Sequence, residues 1–138
     1  MSRENVEVVR RLTQTWNERG WAGVIDEGYI HPDVEYHDDP NWPDATSLYG
    51  RTALLEHFDG VMDLVALNGH AVIEETADGG DYVGVVLCLR GEGAGSHIPY
   101  EYKWGYLCRV RDGQIDYVQA HLDADEALRA VKQRASRA

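Results

Sequence analysis

The sequence predicts a cone-shaped α+β domain, in which helices pack on the concave face of a curved antiparallel sheet and enclose a pocket. The first half shows mainly the three-to-four-residue apolar spacing of amphipathic helices, with one short strand. The second half changes to apolar and β-branched runs separated by hairpin turns, which predicts a four-stranded antiparallel meander. Since 138 residues is the length of one ordinary domain, we expect a single domain over residues 1–138.

The composition argues against several classes of function. The chain has 24 acidic and 13 basic residues and a net charge of −11, which disfavours binding to nucleic acid or to an anionic membrane surface. Cys88 and Cys108 lie in separate apolar runs and are predicted to be reduced, buried thiols. The sequence shows neither a signal-peptide core nor an apolar run long enough to cross a bilayer, so we expect a cytoplasmic protein.

Two helices are predicted at the N-terminus. Ser2 can cap the first helix, which we expect to end at Arg19-Gly20, where glycine can take the left-handed conformation. The apolar stripe of this helix consists of Val6, Val9, Leu12 and Trp16. A shorter helix is predicted over Trp21–Tyr29, and His31-Pro32 ends it, because proline disfavours the α conformation in the residue before it.

A short strand and a third helix follow. The strand is predicted over Val34–Asp38, with alternate side chains on one face, and a loop rich in turn-forming residues continues to Asp44. The inward-facing side chains of the strand are Val34, Tyr36 and Asp38. The third helix is predicted from Thr52 to Asn68-Gly69. Its apolar stripe consists of Leu54, Phe58, Val61, Met62 and Val65.

The second half of the chain is predicted to form the meander and a terminal helix. Strands are predicted around Val72-Ile73 and over Tyr82–Arg90, Pro99–Val110 and Gln114–Leu122. The connections are predicted to be a turn over Asp78–Asp81, a glycine-rich segment over Gly91–Ser96 and a hairpin turn at Arg111-Asp112-Gly113. Asp123, with Glu126 three residues later, predicts the capped start of a helix that carries Leu128 and Val131.

Several short motifs, in a fixed order, suggest a family. They are Trp16-Asn17, His31-Pro32-Asp33-Val34 before Tyr36, Tyr49-Gly50-Arg51, Arg111-Asp112-Gly113-Gln114-Ile115 and Leu122-Asp123. Over nearly the whole chain this pattern resembles the SnoaL-like branch of the nuclear transport factor 2 (NTF2) superfamily, which includes ketosteroid-isomerase-like enzymes, polyketide cyclases, epoxide hydrolases, dehydratases and non-catalytic proteins. The resemblance implies the cone-shaped fold and leaves the reaction open.

Asp38 and Tyr106 are the catalytic candidates. Asp38 is similar in position to the base of ketosteroid-isomerase-like enzymes, and a carboxylate partly desolvated among aromatic rings would be a stronger base. The alternative is that Asp38 and Asp39 only cap the turn before Pro40, and Asp39 would face the pocket if the register slipped by one residue. Tyr106 is similar in position to an oxyanion donor of these enzymes. Leu12 stands where their second donor would be, which weakens the steroid-isomerase interpretation.

Other positions narrow the reaction class further. The resemblance places Ala120 where epoxide hydrolases of this fold carry an aspartate, so that activity is disfavoured. His37 and His121 alternate away from the inward face but are candidates for substrate contacts at the rim of the pocket. Since no histidine pair has the spacing of metal ligands on a helix or strand, neither a metal nor another cofactor is expected.

Four further residues are candidates for substrate binding, each with a structural alternative. Arg51 would clamp an anionic group, Trp42 would cover the pocket mouth, and Trp16 and Tyr36 would line the walls. The structural alternative for Arg51 is an ion pair with Asp44, Asp38 or Glu101. The structural alternative for the aromatic residues is the core, with Trp42 as a plug that seals the cone.

The convex face of the sheet predicts a partner. Leu107, Tyr117 and Gln119 are expected on this face, and no helix in the chain is expected to cover it. An exposed apolar strip of this kind favours a homodimer built sheet to sheet.

These observations give one favoured hypothesis and two alternatives. The favoured one is an enzyme in which Asp38 removes a proton next to a carbonyl of an apolar or polyketide-like substrate, while Tyr106 binds the enolate oxygen; isomerisation, cyclisation and dehydration share this step. The first alternative is a non-catalytic small-molecule-binding protein, and the second is a dimerisation module whose cone is filled with side chains. An enclosed void of roughly 300 Å³ or more, reached by Asp38, would support ligand binding.

Overall fold

A computed structural model describes residues 2–65, 67–92 and 96–137 and confirms the α+β class. In chain order the elements are α1 (Ser2–Asp26), β1 (Ile30–His37), β2 (Ser47–Tyr49), α2 (Arg51–Val65), β3 (Leu67–Gly79), β4 (Tyr82–Glu92), β5 (Pro99–Arg111), β6 (Gln114–His121) and α3 (Ala124–Arg137). The strands form one sheet in the order β2-β1-β6-β5-β4-β3.

The two predicted N-terminal helices are the two arms of α1, which is kinked at Gly20. This glycine has φ 70° and ψ −166°, a conformation that side chains other than glycine rarely adopt. The second arm ends at Asp26 rather than at Tyr29, because Gly28, with φ 78°, closes the helix and its N–H donates to the carbonyl of Ile25. The break was therefore predicted correctly and the helix end was not.

Strand pairing differs from the expectation at one place. The meander β3 to β6 is antiparallel, as predicted, but β1 pairs in parallel with β6. β1 begins at Ile30, earlier than predicted, because Pro32 lies where the register with β6 shifts and no ladder donor is needed. The short strand β2, which pairs Ser47 with His37, was not predicted.

The turns agree with the sequence interpretation. Asp112 and Gly113 have φ values of 53° and 77°, which is the left-handed pair of a tight hairpin turn between β5 and β6. Gly80 and Asp81 form the turn between β3 and β4. Of the predicted glycine-rich connection, Gly91 belongs to β4, and residues 93–95 lie outside the described part of the chain.

Helices α1 and α2 lie on the concave side of the sheet. Asn17 fixes α1 to β3, since its side-chain N–H donates to the carbonyl of Ala71 and its oxygen accepts from the Ala71 N–H, both at 2.8 Å. On α2, Leu54 is buried and Phe58 packs against the same core. Three predicted stripe residues of α2, Val61, Met62 and Val65, have side chains outside the described set, as does the proposed cap Ser2. Asn68-Gly69, where α2 was expected to end, lies within β3.

Helix α3 packs on the opposite, convex face, so the expectation that no helix covers this face is wrong. A Cβ atom on Gly84 would lie 2.8 Å from a methyl carbon of Val131, and one on Gly105 would lie 2.6 Å from Cβ of Ala127. The two glycines therefore let the helix approach the sheet closely. Leu107, expected to be exposed here, is only 2% accessible. The homodimer through this face stays a prediction.

Further expectations concern the two thiols, the start of α3 and membrane-spanning helices. Cys88 and Cys108 are both free and buried, as predicted. Asp123 caps α3, since its carboxylate accepts a 3.0 Å hydrogen bond from the N–H of Asp125. No helix in the described ranges is long and apolar enough to cross a membrane.

Candidate functional site

A cavity of about 650 Å³ lies between the concave face of the sheet and helices α1 and α2. Most of its lining side chains are apolar or aromatic, and the two apolar positions noted in the sequence, Leu12 and Ala120, are among them. The volume is in the range of small-molecule sites. The cone is therefore not filled with side chains, which argues against a pure dimerisation module.

One row of aromatic side chains runs along the cavity wall on β5. Alternate residues of a strand face the same side, which places Tyr100, Tyr102, Trp104 and Tyr106 in this row. The Trp104 ring lies 5.6 Å from that of Tyr102 and 5.7 Å from that of Tyr106, between centroids. The rings give this wall of the cavity a continuous apolar surface.

Asp38 lines the cavity, as predicted, and both of its carboxylate oxygens are held. The Tyr36 hydroxyl donates to Oδ1 at 2.7 Å, and the Thr46 N–H donates to Oδ2 at 3.0 Å. The Asp38 N–H in turn donates to the Thr46 carbonyl at 3.0 Å. The backbone between β1 and β2 thus fixes the carboxylate at the cavity wall.

Tyr36 and Tyr106 lie close to this carboxylate and remain protonated at neutral pH. Burial raises the pKa of Tyr36, and the neighbouring Tyr106 and Asp38 raise it further. Burial also raises the pKa of Tyr106, with a smaller contribution from Asp38. Both residues line the cavity, so two neutral hydroxyl groups and one carboxylate form a polar cluster in otherwise apolar surroundings.

Asp39 bridges the ends of β1 and β6. Its side chain is 5% accessible, Oδ1 accepts from the Asn41 N–H at 2.9 Å, and Oδ2 accepts from the Leu122 N–H at 2.8 Å. Burial alone raises the pKa of Asp39, but the two N–H donors and the nearby His121 outweigh it, so the pKa lies below its usual value. The hydrogen bonds are those of a structural carboxylate.

The residues best placed to hold a metal ion in the described ranges are Asp39, His121 and Glu126, whose ligand atoms lie within 4.8 Å of one another. His121 Nδ1 lies 3.6 Å from Oε2 of Glu126. Histidine spacing could not predict this group, because β1, β6 and α3 bring it together. Since both Asp39 oxygens already accept backbone N–H groups, we interpret the cluster as an acid–histidine contact.

Of the predicted substrate-binding residues, four line the cavity and two do not. Trp16, Tyr36, Trp42 and His121 line it, and Trp42 is 46% accessible, as expected at a mouth. His37 faces away and contacts Ser47 Oγ at 2.7 Å and Glu35 Oε2 at 2.6 Å, because alternate residues of β1 face opposite sides. Arg51 is also outside the lining. Its guanidinium donates to the Ile30 carbonyl at 3.5 Å and, in the described part of the chain, pairs with none of the three proposed carboxylates.

Sequence reasoning missed Trp21 and Tyr100, two residues of the cavity wall, whereas His121 was among the predicted substrate-binding residues. Trp21 Nε1, the Tyr100 hydroxyl and His121 Nε2 are buried atoms without a hydrogen-bond partner among the described residues, and all three residues line the cavity. Tyr100 has the same strand parity as Tyr106, which could have indicated its position. Trp21 had no signal that separated it from a core residue.

The sequence profile of the SnoaL-like domain matches residues 9–118. The chain belongs to the SnoaL-like domain family. No curated protein sequence matches the chain.

Solved structures of the same fold agree with this assignment. A protein from Jannaschia sp. CCS1, named as a SnoaL-like polyketide cyclase, shares 23% identity over 86% of this chain and 85% of its own, with a TM-score of 0.71. TerC, co-crystallised with polyporic acid, shares 16% identity over 94% of this SnoaL-like chain and 98% of its own, with a TM-score of 0.71. A protein from Catenulispora acidiphila DSM 44928 with a ketosteroid-isomerase-like fold was solved in complex with trimethylamine. It shares 19% identity over 94% of this chain and 95% of its own, with a TM-score of 0.68. At these identities the likeness shows the NTF2-like fold alone.

Proposed function

We propose that this SnoaL-like protein is a cofactor-independent enzyme that removes a proton from a carbon next to a carbonyl group. The observation that carries the proposal is the polar cluster of Asp38, Tyr36 and Tyr106 in an otherwise apolar cavity of about 650 Å³. A carboxylate beside neutral hydroxyl donors, in mostly apolar surroundings, provides both a base and a donor for a developing oxyanion.

Each residue has a separate part in the proposed step. Asp38 takes the proton as the C–H bond breaks, and the electron pair moves onto the carbonyl oxygen to give an enolate. Tyr106 donates a hydrogen bond to that oxygen, and Tyr36 holds the carboxylate in place. The fate of the enolate decides between isomerisation, aldol-type cyclisation and dehydration.

The apolar lining supports an apolar or polyketide-like carbonyl substrate. The rings on β5 and the partly exposed Trp42 match a flat hydrocarbon frame and would exclude water once it is bound. The fold is shared with a protein named as a polyketide cyclase, which agrees with this substrate class.

The test is Asp38→Asn, assayed for binding and turnover over a panel of cyclic ketones and polyketide-like β-diketones. Binding should survive, while turnover falls by about 10²–10⁴, the usual contribution of a general base. Asp33→Asn is the matched control, because Asp33 is an exposed residue of β1, the strand that ends just before Asp38. Full activity of the Asp38 variant would remove the catalytic role of this residue.

The second candidate is a non-catalytic small-molecule-binding protein. The observation in its favour is that both oxygens of Asp38 already accept hydrogen bonds, from Tyr36 and Thr46, as a structural carboxylate would. In that case Asp38→Asn should leave ligand affinity unchanged and lower the free energy of unfolding by about 1–3 kcal/mol, because a buried donor loses its acceptor. No ligand in the panel should be turned over by the wild-type protein.

Four predictions from the sequence are still predictions. They are a cytoplasmic location, a single domain over residues 1–138, a homodimer, and no binding to nucleic acid or membranes. The net charge of −11 supports the last of these, since a phosphate backbone is bound through basic groups.

A further inference from the structure

The acidic groups on the cavity wall have no basic counterpart there. Three carboxylates line the cavity, those of Asp38, Asp39 and Asp44, and the described lining residues include neither lysine nor arginine. Arg51, the arginine considered for this site, donates instead to the carbonyl of Ile30, outside the lining. A ligand that carries a carboxylate or a phosphate would therefore meet like charges and no cationic partner.

Histidine does not reverse this balance. Within the described ranges, His57 and His121 are the only lining residues whose side chains can become cationic near neutral pH. His121 already lies beside the carboxylates of Asp39 and Glu126, and the ligand atoms of the three residues are within 4.8 Å of one another. A positive charge on His121 would be matched by these two groups. The electrostatic potential in the cavity is therefore negative and favours a cation.

Two aromatic rings form a corner on the wall that β5 contributes. The rings of Trp104 and Tyr106 have centroids 5.7 Å apart and planes at 87° to each other, and both residues line the cavity. Because the face of an aromatic ring carries partial negative charge, two rings set at a right angle suit an organic cation. Tryptophan makes the strongest contact of this kind. The corner therefore offers a place for a protonated amine.

The corner is separated from Asp38 by the width of β6. Tyr106 pairs with Ala120 on β6, and the residue before Ala120, Gln119, pairs with His37 on β1. Since neighbouring strands are about 4.8 Å apart, the backbones of Tyr106 and Asp38 are about 10 Å apart. A cation in the corner would lie within the field of the Asp38 carboxylate without displacing the hydrogen bonds that hold it.

We infer that the cavity selects a cationic substrate, an apolar carbonyl compound that carries a protonated amine, with the amine in the corner formed by Trp104 and Tyr106. The inference rests on the proposed function for the carbonyl group and deepens it by naming the charge of the substrate. The amine would also stabilise the enolate, because its positive charge lies near the oxygen that Tyr106 binds. This contribution is relevant because Leu12 stands where a second oxyanion donor was expected.

Three naphthalene probes of similar shape test the charge preference. They are 2-(aminomethyl)naphthalene, which is a cation at neutral pH, the neutral 2-(hydroxymethyl)naphthalene and the anion 2-naphthoate. Dissociation constants are measured by isothermal titration calorimetry for the wild type, Trp104→Leu and Trp16→Leu. Trp16 is the matched control, because it lines the same cavity from α1.

The wild type should bind the amine about 3–30-fold more tightly than the alcohol, and should bind the naphthoate more weakly than the alcohol. Trp104→Leu should remove most of the preference for the amine, whereas Trp16→Leu should weaken the binding of amine and alcohol alike. Equal or reversed affinities in the wild type, or no binding of the amine, would overturn the inference. A preference that survives Trp104→Leu, or that is lost in Trp16→Leu, would overturn it as well, because the amine would then lie elsewhere.

Asp44→Asn gives a second test that leaves the core intact. Asp44 is an exposed residue of the lining, and asparagine tolerates its left-handed φ of 59°. The variant should raise Kd for the amine by about two- to fivefold at low salt and leave Kd for the alcohol unchanged. The difference should disappear at high salt. An amine affinity that responds neither to the substitution nor to salt would contradict a negative cavity and overturn the inference.

Failure of the inference can be told apart from failure of the proposed function. The charge preference is measured from equilibrium binding and needs no turnover, whereas the proposed function is judged on the turnover of Asp38→Asn.

Discussion

The Tyr36 hydroxyl donates a 2.7 Å hydrogen bond to Oδ1 of Asp38, which lies two residues further along the chain, directly after the end of β1. Since alternate strand residues share a face, the spacing itself brings the two side chains together. Tyr36 is 3% accessible, and its ring packs edge-on against Phe58, with centroids 5.2 Å apart. The rotamer of the tyrosine is therefore set by the core, and the carboxylate is positioned by a rigid donor.

Tyr36→Phe should separate positioning from catalysis. Loss of the hydrogen bond should lower the free energy of unfolding by about 1 kcal/mol. If Asp38 is the base, kcat should fall by about tenfold with little change in KM, because only the orientation of the carboxylate is lost. Urea unfolding and steady-state kinetics measure the two effects, and Tyr49→Phe, on the exposed strand β2, is the control. An unchanged kcat would contradict the positioning role.

Stability should decline in alkali because of three buried groups. Burial raises the pKa of Cys108 to about 12 and also raises the pKa of Tyr36 and Tyr106 above 10.0. The unfolded chain then loses protons that the folded chain keeps, so the stabilisation is complete below about pH 9 and decreases as the pH rises. Each group contributes up to about 1.4 kcal/mol per pH unit once its unfolded form ionises.

Urea midpoints between pH 8 and pH 11 check this expectation. Cys108→Val keeps the volume and removes the thiol, so the decline should start nearer pH 10 in the variant than in the wild type. A wild-type midpoint that stays constant up to pH 11 would show that these groups ionise as easily in the fold as in the unfolded chain.

Asp39 should affect stability rather than turnover. Asp39→Ala leaves the N–H groups of Asn41 and Leu122 without their acceptor and should lower the free energy of unfolding by about 2–3 kcal/mol. Because the pKa of Asp39 is lowered, its stabilisation is present above the usual carboxyl pKa and is lost as the pH falls through the lowered value.

The Asp39→Ala variant should therefore lose less stability than the wild type between pH 5 and pH 2. Asp33→Ala, on the exposed part of β1, serves as the control and should have no such effect. If Asp39→Ala and the wild type lost the same stability between pH 5 and pH 2, the structural role of the Asp39 carboxylate would be contradicted.

Local patterns predicted most of the fold, and long-range packing accounts for what they missed. Strand parity placed Asp38 in the cavity, the family resemblance indicated Tyr106, and the φ requirement of glycine placed the break at Gly20. The parallel pairing of β1 with β6 and the position of α3 depend on contacts between distant segments, which periodicity does not encode. Within the site, the shared face of alternate residues such as Tyr36 and Asp38 could be predicted from their spacing.

Groups assembled from several elements were not predictable in the same way. His121 meets Asp39 and Glu126 only after β1, β6 and α3 have packed together. That Trp21 Nε1 has no hydrogen-bond partner among the described residues is visible only once the surrounding elements have packed. Such sites are defined by what surrounds them rather than by a spacing in the sequence.

The close approach of α3 to the sheet predicts an effect of Gly84→Ala. The added carbon would lie 2.8 Å from a Val131 methyl carbon and 2.9 Å from the Ala127 carbonyl oxygen, so the helix must shift. We expect a loss of about 1–3 kcal/mol in the free energy of unfolding. The additional substitution Val131→Ala removes one of the two clashes, so the double variant should lose less than the sum of the single effects. Additive losses would argue against this contact.

The part of the convex face that is open to the predicted homodimer contact is smaller than expected, because α3 covers the rest. Helix α3 packs on β3, β4 and β5, and Leu107 is already buried within one chain. Towards the other edge of the convex face, Tyr49 is 67% accessible and packs edge-on against the half-buried His37. Tyr117, on the far side of His37, is already partly covered by Arg134 of α3. The exposed Tyr49 therefore favours a two-fold contact through β2 and β1. Sedimentation velocity at tens of micromolar should then give the mass of a dimer, and Tyr49→Asp should shift it to a monomer by placing a charge in the contact. A wild-type monomer at that concentration would contradict the dimer, and a dimer that survives Tyr49→Asp would contradict this surface.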